Sequence, residues 1–274
     1  MGLESNNPCE DSWDGCFGEM GYDSFSMDLQ NLWIALGVMV LAFFSGMLGF
    51  GVALAAVPFL SLFWDDLVHQ VQPMSIALGG MTALFAALGF GRSGYIEGRL
   101  GVQLALVAGL VSPIGVWLAQ RTNPMLLWVF YFVSVSYLLY RMVHPRFGAL
   151  GLRAVAPVKA LLLVIPIAIY STMLGVGVGF LLVPTLIALG MEPKRAAGTN
   201  ALVVVAQSLT AFVYHMPSAQ IDGGALAMTA FGGVIGSYWG ARFTSKRLGE
   251  TQVRWVFALM MGAMMLYRAI LLFF

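Results

Sequence analysis

Charged side chains are scarce in this chain. They make up 10% of its 274 residues, against roughly 25% in a soluble globular domain, while hydrophobic residues make up 59%. No Lys, Arg, Asp or Glu lies near the middle of any long apolar run. This composition predicts a membrane protein with several crossings. Its length leaves no room for an attached soluble catalytic domain of ordinary size.

Groups for chemistry inside a membrane are also missing. An intramembrane hydrolase or a lipid-modifying enzyme needs a nucleophile with a base, or clustered carboxylates and histidines, within the bilayer. The predicted spans contain no such cluster, and the three histidines do not have the spacing of metal ligands. We therefore predict no enzymatic activity, no cofactor, no metal and no nucleic-acid partner.

The first thirty residues differ in composition from the rest. They carry seven acidic residues, no Lys or Arg, and both cysteines of the chain, Cys9 and Cys16. A signal peptide has a basic start and an early apolar core, and this segment has neither. We predict an acidic extracytoplasmic tail over 1–30, in which Cys9 and Cys16 form either a small disulfide or two free thiols.

One glycine-rich stretch occurs twice, 126 residues apart. Eight of fourteen positions are identical between 45–58 and 171–184, including the pairs Gly49/Gly175 and Gly51/Gly177. Glycine-interrupted apolar segments at matching places in two halves indicate the binding site of a transporter.

Apolar runs extend over 31–63, 74–90, 100–119, 125–143, 158–190, 199–214, 222–241 and 252–274. The runs 31–63 and 158–190 have 33 residues each, well beyond the roughly 20 that one crossing needs. Each contains the repeated glycines, which weaken a helix and permit unusual backbone angles. We predict two helical arms joined by a non-helical tip in each long run.

The distribution of Lys and Arg favours arms that return to the same side of the membrane. With one crossing per long run, the positive charges divide seven to seven; with two arms, they divide twelve to two, with only Arg121 and Arg268 outside. Cytoplasmic loops carry the excess of positive charge. We therefore predict an all-α protein of two inverted five-segment repeats, with both termini outside: a tail 1–30, repeats 31–143 and 158–274, and a basic cytoplasmic loop 144–157.

Several motifs together resemble the sulfite exporter TauE/SafE family, the TSUP permeases. They are the paired glycine segments ending in Val-Pro, the stretch Ala196-Ala197-Gly198-Thr199-Asn200, and a glycine-rich helix ending near Gly236. The resemblance covers roughly 31–270 and implies an inner-membrane exporter of sulfite, sulfoacetate or related organosulfonates. The first repeat departs from the pattern, with Met74-Ser75-Ile76 in place of Gly198-Thr199-Asn200.

The binding site is predicted at the two tips. Helix N-termini carry free N–H groups and about half a positive charge, and glycine allows close approach of an oxyanion. The alternative is that these glycines serve only close helix packing. The predicted tip residues are Gly49, Phe50, Gly51, Val52, Gly175, Val176, Gly177 and Gly179.

Polar side chains near the tips are predicted to continue the path of the anion. Ser75, Thr82 and Gln103 in the first half, and Thr199, Asn200 and Gln207 in the second, are candidates, although such groups also bond their own or a neighbouring helix. Three arginines are candidates for attracting anions at the mouths, the two entrances of this path: Arg121, Arg242 and Arg268. The expected partners are a small anion and the lipid bilayer, with a homo-oligomer left open. A passive anion channel and a non-transporting scaffold are the alternative functions.

Gly115 is the expected control position. It matches Gly236 in the second repeat and lies away from both tips in the sequence. We therefore expect Gly115→Ala to have much less effect than a change at the tips.

Overall fold

The computed structural model describes residues 32–143 and 157–247, together with isolated helical positions between 252 and 270. The acidic tail with Cys9 and Cys16, and also Arg268, lie outside the described residues. The described residues form helices joined by short turns, which agrees with the predicted all-α class.

The helices follow the predicted apolar runs closely. In chain order they are α1 Leu32–Met47, α2 Ala53–Leu60, α3 Gln72–Gly91, α4 Gly98–Ala119, α5 Pro124–Val143, α6 Pro157–Met173, α7 Gly179–Ala188, α8 Pro193–His215 and α9 Gly223–Arg247. Three described stretches are long and apolar enough to cross a membrane: Leu67–Gly91, Gly98–Ala119 and Pro193–Ser218.

Both long runs break where the glycines predict. Residues 48–52 separate α1 from α2, and residues 174–178 separate α6 from α7. The ring of Phe59 on α2 packs against Gly37 on α1, so the first run folds back on itself. At 1.5 Å per residue, α2 and α7 rise only about 12 and 15 Å, which is about half of a hydrocarbon core near 30 Å thick.

A π-helical turn before α3 was not predicted. It spans Leu67–Val71, and Asp66 caps it: Oδ1 accepts hydrogen bonds from the backbone N–H groups of Val68 at 3.0 Å and His69 at 2.9 Å. Partial burial acts to raise the pKa of Asp66, but the hydrogen bonds from His69 and Val68 outweigh it and lower this pKa.

Helices α3 and α8 form the centre of the packing. They pack against each other, α8 also packs on α4, and α3 also packs on α9. The outer contacts also join one half to the other. Helix α4 of the first half packs on α6 of the second half. Gly236 of α9, in the second half, lies against the backbone of Met39 in α1, in the first half.

The packing of α4 overturns the expectation for Gly115. A Cβ at Gly115 would lie 2.5 Å from the carbonyl oxygen of Ile169 and 2.7 Å from Cβ of Thr172. The backbones of α4 and α6 are in close contact there, so alanine would force the helices apart. Gly115 is therefore a packing glycine and an unsuitable control.

The outer faces of the helices carry large apolar side chains. Leu110 on α4 is 77% exposed, Leu209 on α8 is 64% exposed and Phe231 on α9 is 72% exposed. Water tolerates such a surface poorly, whereas lipid covers it at no cost. This surface and the long apolar helices are those of a membrane protein.

Candidate functional site

The first tip is a tight turn built on two left-handed glycines. Gly49 and Gly51 both have φ of 67°, a region that other residues rarely adopt. The N–H of Phe50 donates to the carbonyl of Ser45 at 3.3 Å, and the hydroxyl of Ser45 donates to the carbonyl of Gly51. These bonds end α1 and direct the chain into α2.

The second tip repeats this turn with one difference. Gly175 has φ of 73°, and the N–H of Val176 donates to the carbonyl of Ser171 at 3.0 Å. Gly177 does not have a positive φ, although its counterpart Gly51 does. The two tips therefore share their start, and at Gly177 it is the close packing against Phe50 and Val204, not the backbone angle, that disfavours a larger side chain.

A side chain from a central helix caps the start of each second arm. The N–H of Val52 donates to Oγ1 of Thr82 at 2.9 Å, and the N–H of Val178 donates to Oε1 of Gln207 at 2.7 Å. Val52 and Val178 are equivalent in the repeat. The N–H of Val52, predicted to be open to an anion, is thus already occupied.

The carbonyls of the two equivalent glycines are bound in the same manner. Nδ2 of Asn200 donates to the carbonyl of Gly49 at 2.7 Å, and Oγ of Ser75 donates to the carbonyl of Gly175 at 2.7 Å. Ser75 on α3 is therefore the counterpart of Asn200 on α8: each binds the glycine carbonyl of the tip in the other half. The comparison of Met74-Ser75-Ile76 with Gly198-Thr199-Asn200 in the sequence placed Ser75 opposite Thr199 instead.

The central helices pass the two tips in opposite order. Along α3, Ser75 contacts the second tip and Thr82 contacts the first. Along α8, Asn200 contacts the first tip and Gln207 contacts the second. In both helices the two contacts are seven residues apart, about two turns, so they lie on one face.

The two tips touch each other. A Cβ at Gly177 would lie 3.1 Å from the carbonyl oxygen of Phe50, and a Cβ at Gly179 would lie 2.9 Å from Cα of Phe50. Both positions are buried, so the tips form one region inside the protein.

Backbone donors remain open in this region. Within the described residues, six buried N–H groups have no hydrogen-bond acceptor: those of Gly51, Ala53, Leu54, Gly177, Gly179 and Phe180. Buried N–H groups are nearly always paired, and an unpaired one is expensive where water is excluded. The first three are equivalent in the repeat to the last three, so the open donors come from both tips.

Among the described residues, no Lys, Arg, Asp or Glu is buried. The buried polar groups near the tips are hydroxyls and carboxamides. Two of them have an oxygen atom without a partner in the described chain: Asn200 through Oδ1 and Gln72 through Oε1. Gln72 was not predicted, because it precedes the apolar run 74–90.

Other predicted residues lie away from the tips. Gln103 is exposed on α4, and Oγ1 of Thr199 accepts the N–H of Glu97 at 3.0 Å, which anchors the α3–α4 turn. The guanidinium of Arg121 stacks 3.9 Å from the ring centre of Trp117. Gln103, Thr199 and Arg121 are thus not brought together with the glycines.

Arg242 lies on α9, five residues before Arg247, the last residue of that helix. Its Nη1 donates to the hydroxyl of Tyr238 at 3.1 Å, and Nη1 of Arg92 donates to the same hydroxyl at 2.6 Å. The guanidinium groups of Arg92 and Arg242 therefore converge on one hydroxyl oxygen, that of Tyr238. Arg92 was not predicted as a site residue.

The family comparison agrees with the motif resemblance. A family model described as "Sulfite exporter TauE/SafE" matches residues 34–268, which is most of the chain. Searches of curated proteins and of solved structures found no significant match. The chain therefore belongs to the TauE/SafE sulfite exporter family, whose members are membrane transporters of sulfur-containing anions such as sulfite.

Proposed function

We propose that the protein exports a small sulfur oxyanion, such as sulfite, sulfoacetate or a related organosulfonate, and binds it where the two tips meet. The observation that carries this proposal is the set of six buried N–H groups without an acceptor in the described chain, at Gly51, Ala53 and Leu54 and at Gly177, Gly179 and Phe180. Each set of three lies at the start of a helical arm, and helix N-termini attract anions through their N–H groups and their dipole.

A neutral site suits a transported anion. A buried arginine would hold the ligand strongly and would remain as an unpaired charge after release. Two helix N-termini instead supply about half a charge each, without any ionisable group. The tips begin arms that span about half the hydrocarbon thickness, which is consistent with binding near mid-membrane, where transporters of this kind place their substrates.

We infer that the two halves are inverted repeats. In support, equivalent contacts occur in opposite order along α3 and α8, as expected of helices related by a two-fold axis in the membrane plane. The twelve-to-two distribution of positive charge is consistent with the same arrangement in an inner membrane, with both termini outside.

We expect single cysteines at the two ends of α3 to react from opposite sides. In a chain whose Cys9 and Cys16 are replaced by serine, Asp65→Cys should react with an impermeant maleimide from outside. Ser93→Cys should react only after the membrane is opened. Both positions are exposed in turns. Accessibility of Asp65→Cys only from the cytoplasm would contradict the hairpin and the inversion. Further sites within 215–221 should label from outside, and sites within 144–157 and 244–250 only from inside.

The mouth at the cytoplasmic end is assigned to Arg92 and Arg242. Two guanidinium groups on one tyrosine hydroxyl concentrate positive charge near the surface. Such charge raises the local concentration of anions, and salt screens it. This proposed role concerns capture of the anion at the surface.

Transport by purified protein in liposomes tests the proposed function. We expect saturable flux of sulfite, thiosulfate or sulfoacetate, and little flux of acetate or chloride. Saturation is expected because a ligand must occupy a defined site; a conductance that does not depend on substrate would identify a channel instead. Transport of taurine alone would contradict the proposal, since no buried acid in the described chain could pair with its ammonium group.

A further inference from the structure

Asn200 occupies a distinctive place between the tips. Its side chain is fully buried, and Nδ2 donates to the carbonyl of Gly49 in the first tip at 2.7 Å. The same nitrogen lies 2.5 Å from where a Cβ of Gly179 would be in the second tip. One carboxamide on α8 therefore contacts both tips.

The bond to Gly49 determines which way the carboxamide faces. Nδ2 donates to a carbonyl oxygen, and the reversed orientation would place two acceptor oxygens against each other. Oδ1 is therefore the free end of this group. No donor among the described residues reaches it, although it is buried. An unpaired buried acceptor is unfavourable, so a ligand that donates a hydrogen bond would be favoured here.

The region between the tips thus offers more than anion donors. The open N–H groups fit the oxygen atoms of a sulfonate, and Oδ1 of Asn200 fits a hydrogen-bond donor elsewhere on the same ligand. We propose that the site prefers a sulfonate that also carries a hydroxyl group, and that Oδ1 of Asn200 accepts the hydrogen bond from this hydroxyl. This inference rests on the proposed function and narrows its substrate class.

Gln72 has a free buried oxygen as well, but its position differs. Its Nε2 donates to the carbonyl of Met173 at 3.2 Å, and its side chain lies against Gly175. Met173 is the last residue of α6, and Gly175 lies in the second tip. Asn200 contacts both tips, so the hydroxyl preference is assigned to Asn200.

A matched pair of ligands tests this preference without any mutation. 2-Hydroxyethanesulfonate and 1-propanesulfonate have the same charge and the same number of heavy atoms, and differ by a hydroxyl in place of a methyl group. Calorimetric titration of the purified full chain should show about tenfold tighter binding of the hydroxylated ligand. A site built around a ligand hydroxyl rejects the analogue that leaves its acceptor unpaired.

Asn200→Ser tests the assignment to one residue. Ser75 already makes the equivalent bond to Gly175 in the other half, so serine should keep the contact with Gly49 while removing the amide oxygen. The readout is the ratio of the two dissociation constants, because a general loosening of the tips weakens both ligands together. We expect the ratio to fall from about ten to about one.

The possible outcomes separate this inference from the function on which it rests. Equal, tight binding of both ligands by the wild type would overturn the hydroxyl preference and leave the anion site intact. An unchanged ratio in Asn200→Ser would overturn the role of Asn200. Binding of neither ligand, nor of sulfite, would reject the anion site itself. If Asn200→Ser does not fold, the wild-type comparison still decides the preference.

Discussion

Gly177→Val is expected to abolish anion binding while the protein still inserts and remains monodisperse. A Cβ at Gly177 would lie 3.1 Å from the carbonyl oxygen of Phe50 and 3.2 Å from Cγ1 of Val204. Alanine would require a small shift, but the two further methyl groups of valine must separate the tips. The open N–H groups of the two arms would then no longer face one ligand. Losing two charge-assisted hydrogen bonds, at about 1.5–3 kcal/mol each, weakens binding by more than a hundredfold.

Titration of sulfite or sulfoacetate into purified Gly177→Val measures this effect. Gly109→Ala is a control for adding a side chain at a buried glycine away from the tips: Gly109 also faces α8, but its Cβ would meet nothing closer than 3.6 Å. It should bind the anion as the wild type does. Wild-type affinity in a correctly folded Gly177→Val protein would leave the tip glycines as packing residues. Gly51→Val should behave as Gly177→Val does, with added backbone strain because Gly51 has φ of 67°.

Gln207→Leu should cause the largest loss of stability among the polar positions near the tips. Oε1 of Gln207 accepts the N–H of Val178 at 2.7 Å, and Nε2 donates to Oγ1 of Thr172 at 2.6 Å. The side chain thereby joins both arms of the second tip. Leucine removes these bonds and leaves the buried N–H of Val178 without its acceptor, which costs about 1–3 kcal/mol, whereas Thr172 keeps its bond to the carbonyl of Ala168. We expect a lower unfolding temperature in detergent and weaker anion binding.

Gln103→Leu is the matched control for this change. The residue type and the substitution are the same, and the helices are neighbours, but Gln103 is exposed. Its unfolding temperature and anion affinity should stay at wild-type values. Equal effects of the two substitutions would show that Gln207 does not hold the tip. Increased stability of Gln207→Leu would lead to the same conclusion.

The outline of the helices could be predicted from the sequence. Hydropathy located the long apolar runs, because a membrane-spanning segment must be apolar along its whole length. The repeated glycines located both breaks at 48–52 and 174–178, because glycine is poor in helices and necessary at left-handed turns. The π-helical turn at Leu67–Val71 was missed, since it lies between the apolar runs 31–63 and 74–90, where hydropathy does not distinguish a π-helical turn from a loop.

The polar contacts around the tips were only partly predictable. Gln103 and Gln207 look alike in the sequence, yet one is exposed and the other joins the two arms of a tip. Which face of a helix points inward depends on its neighbours, and uniformly apolar membrane helices have little periodicity to reveal it. Ser75 was aligned with Thr199, but its hydrogen bond makes it the counterpart of Asn200.

The sequence by itself determined the membrane class, the family, the duplication and the place where each long run breaks. These features are local or additive: they depend on composition and on the backbone preferences of glycine along the chain. Only the tertiary structure decided that the tips touch at Phe50, that Thr82 already caps Val52, and that Gly115 is closely packed. These facts depend on contacts between segments that are 30 to more than 120 residues apart in the chain. Hydrogen bonding and close packing are set by distances of a few ångström between such segments, which no local pattern specifies.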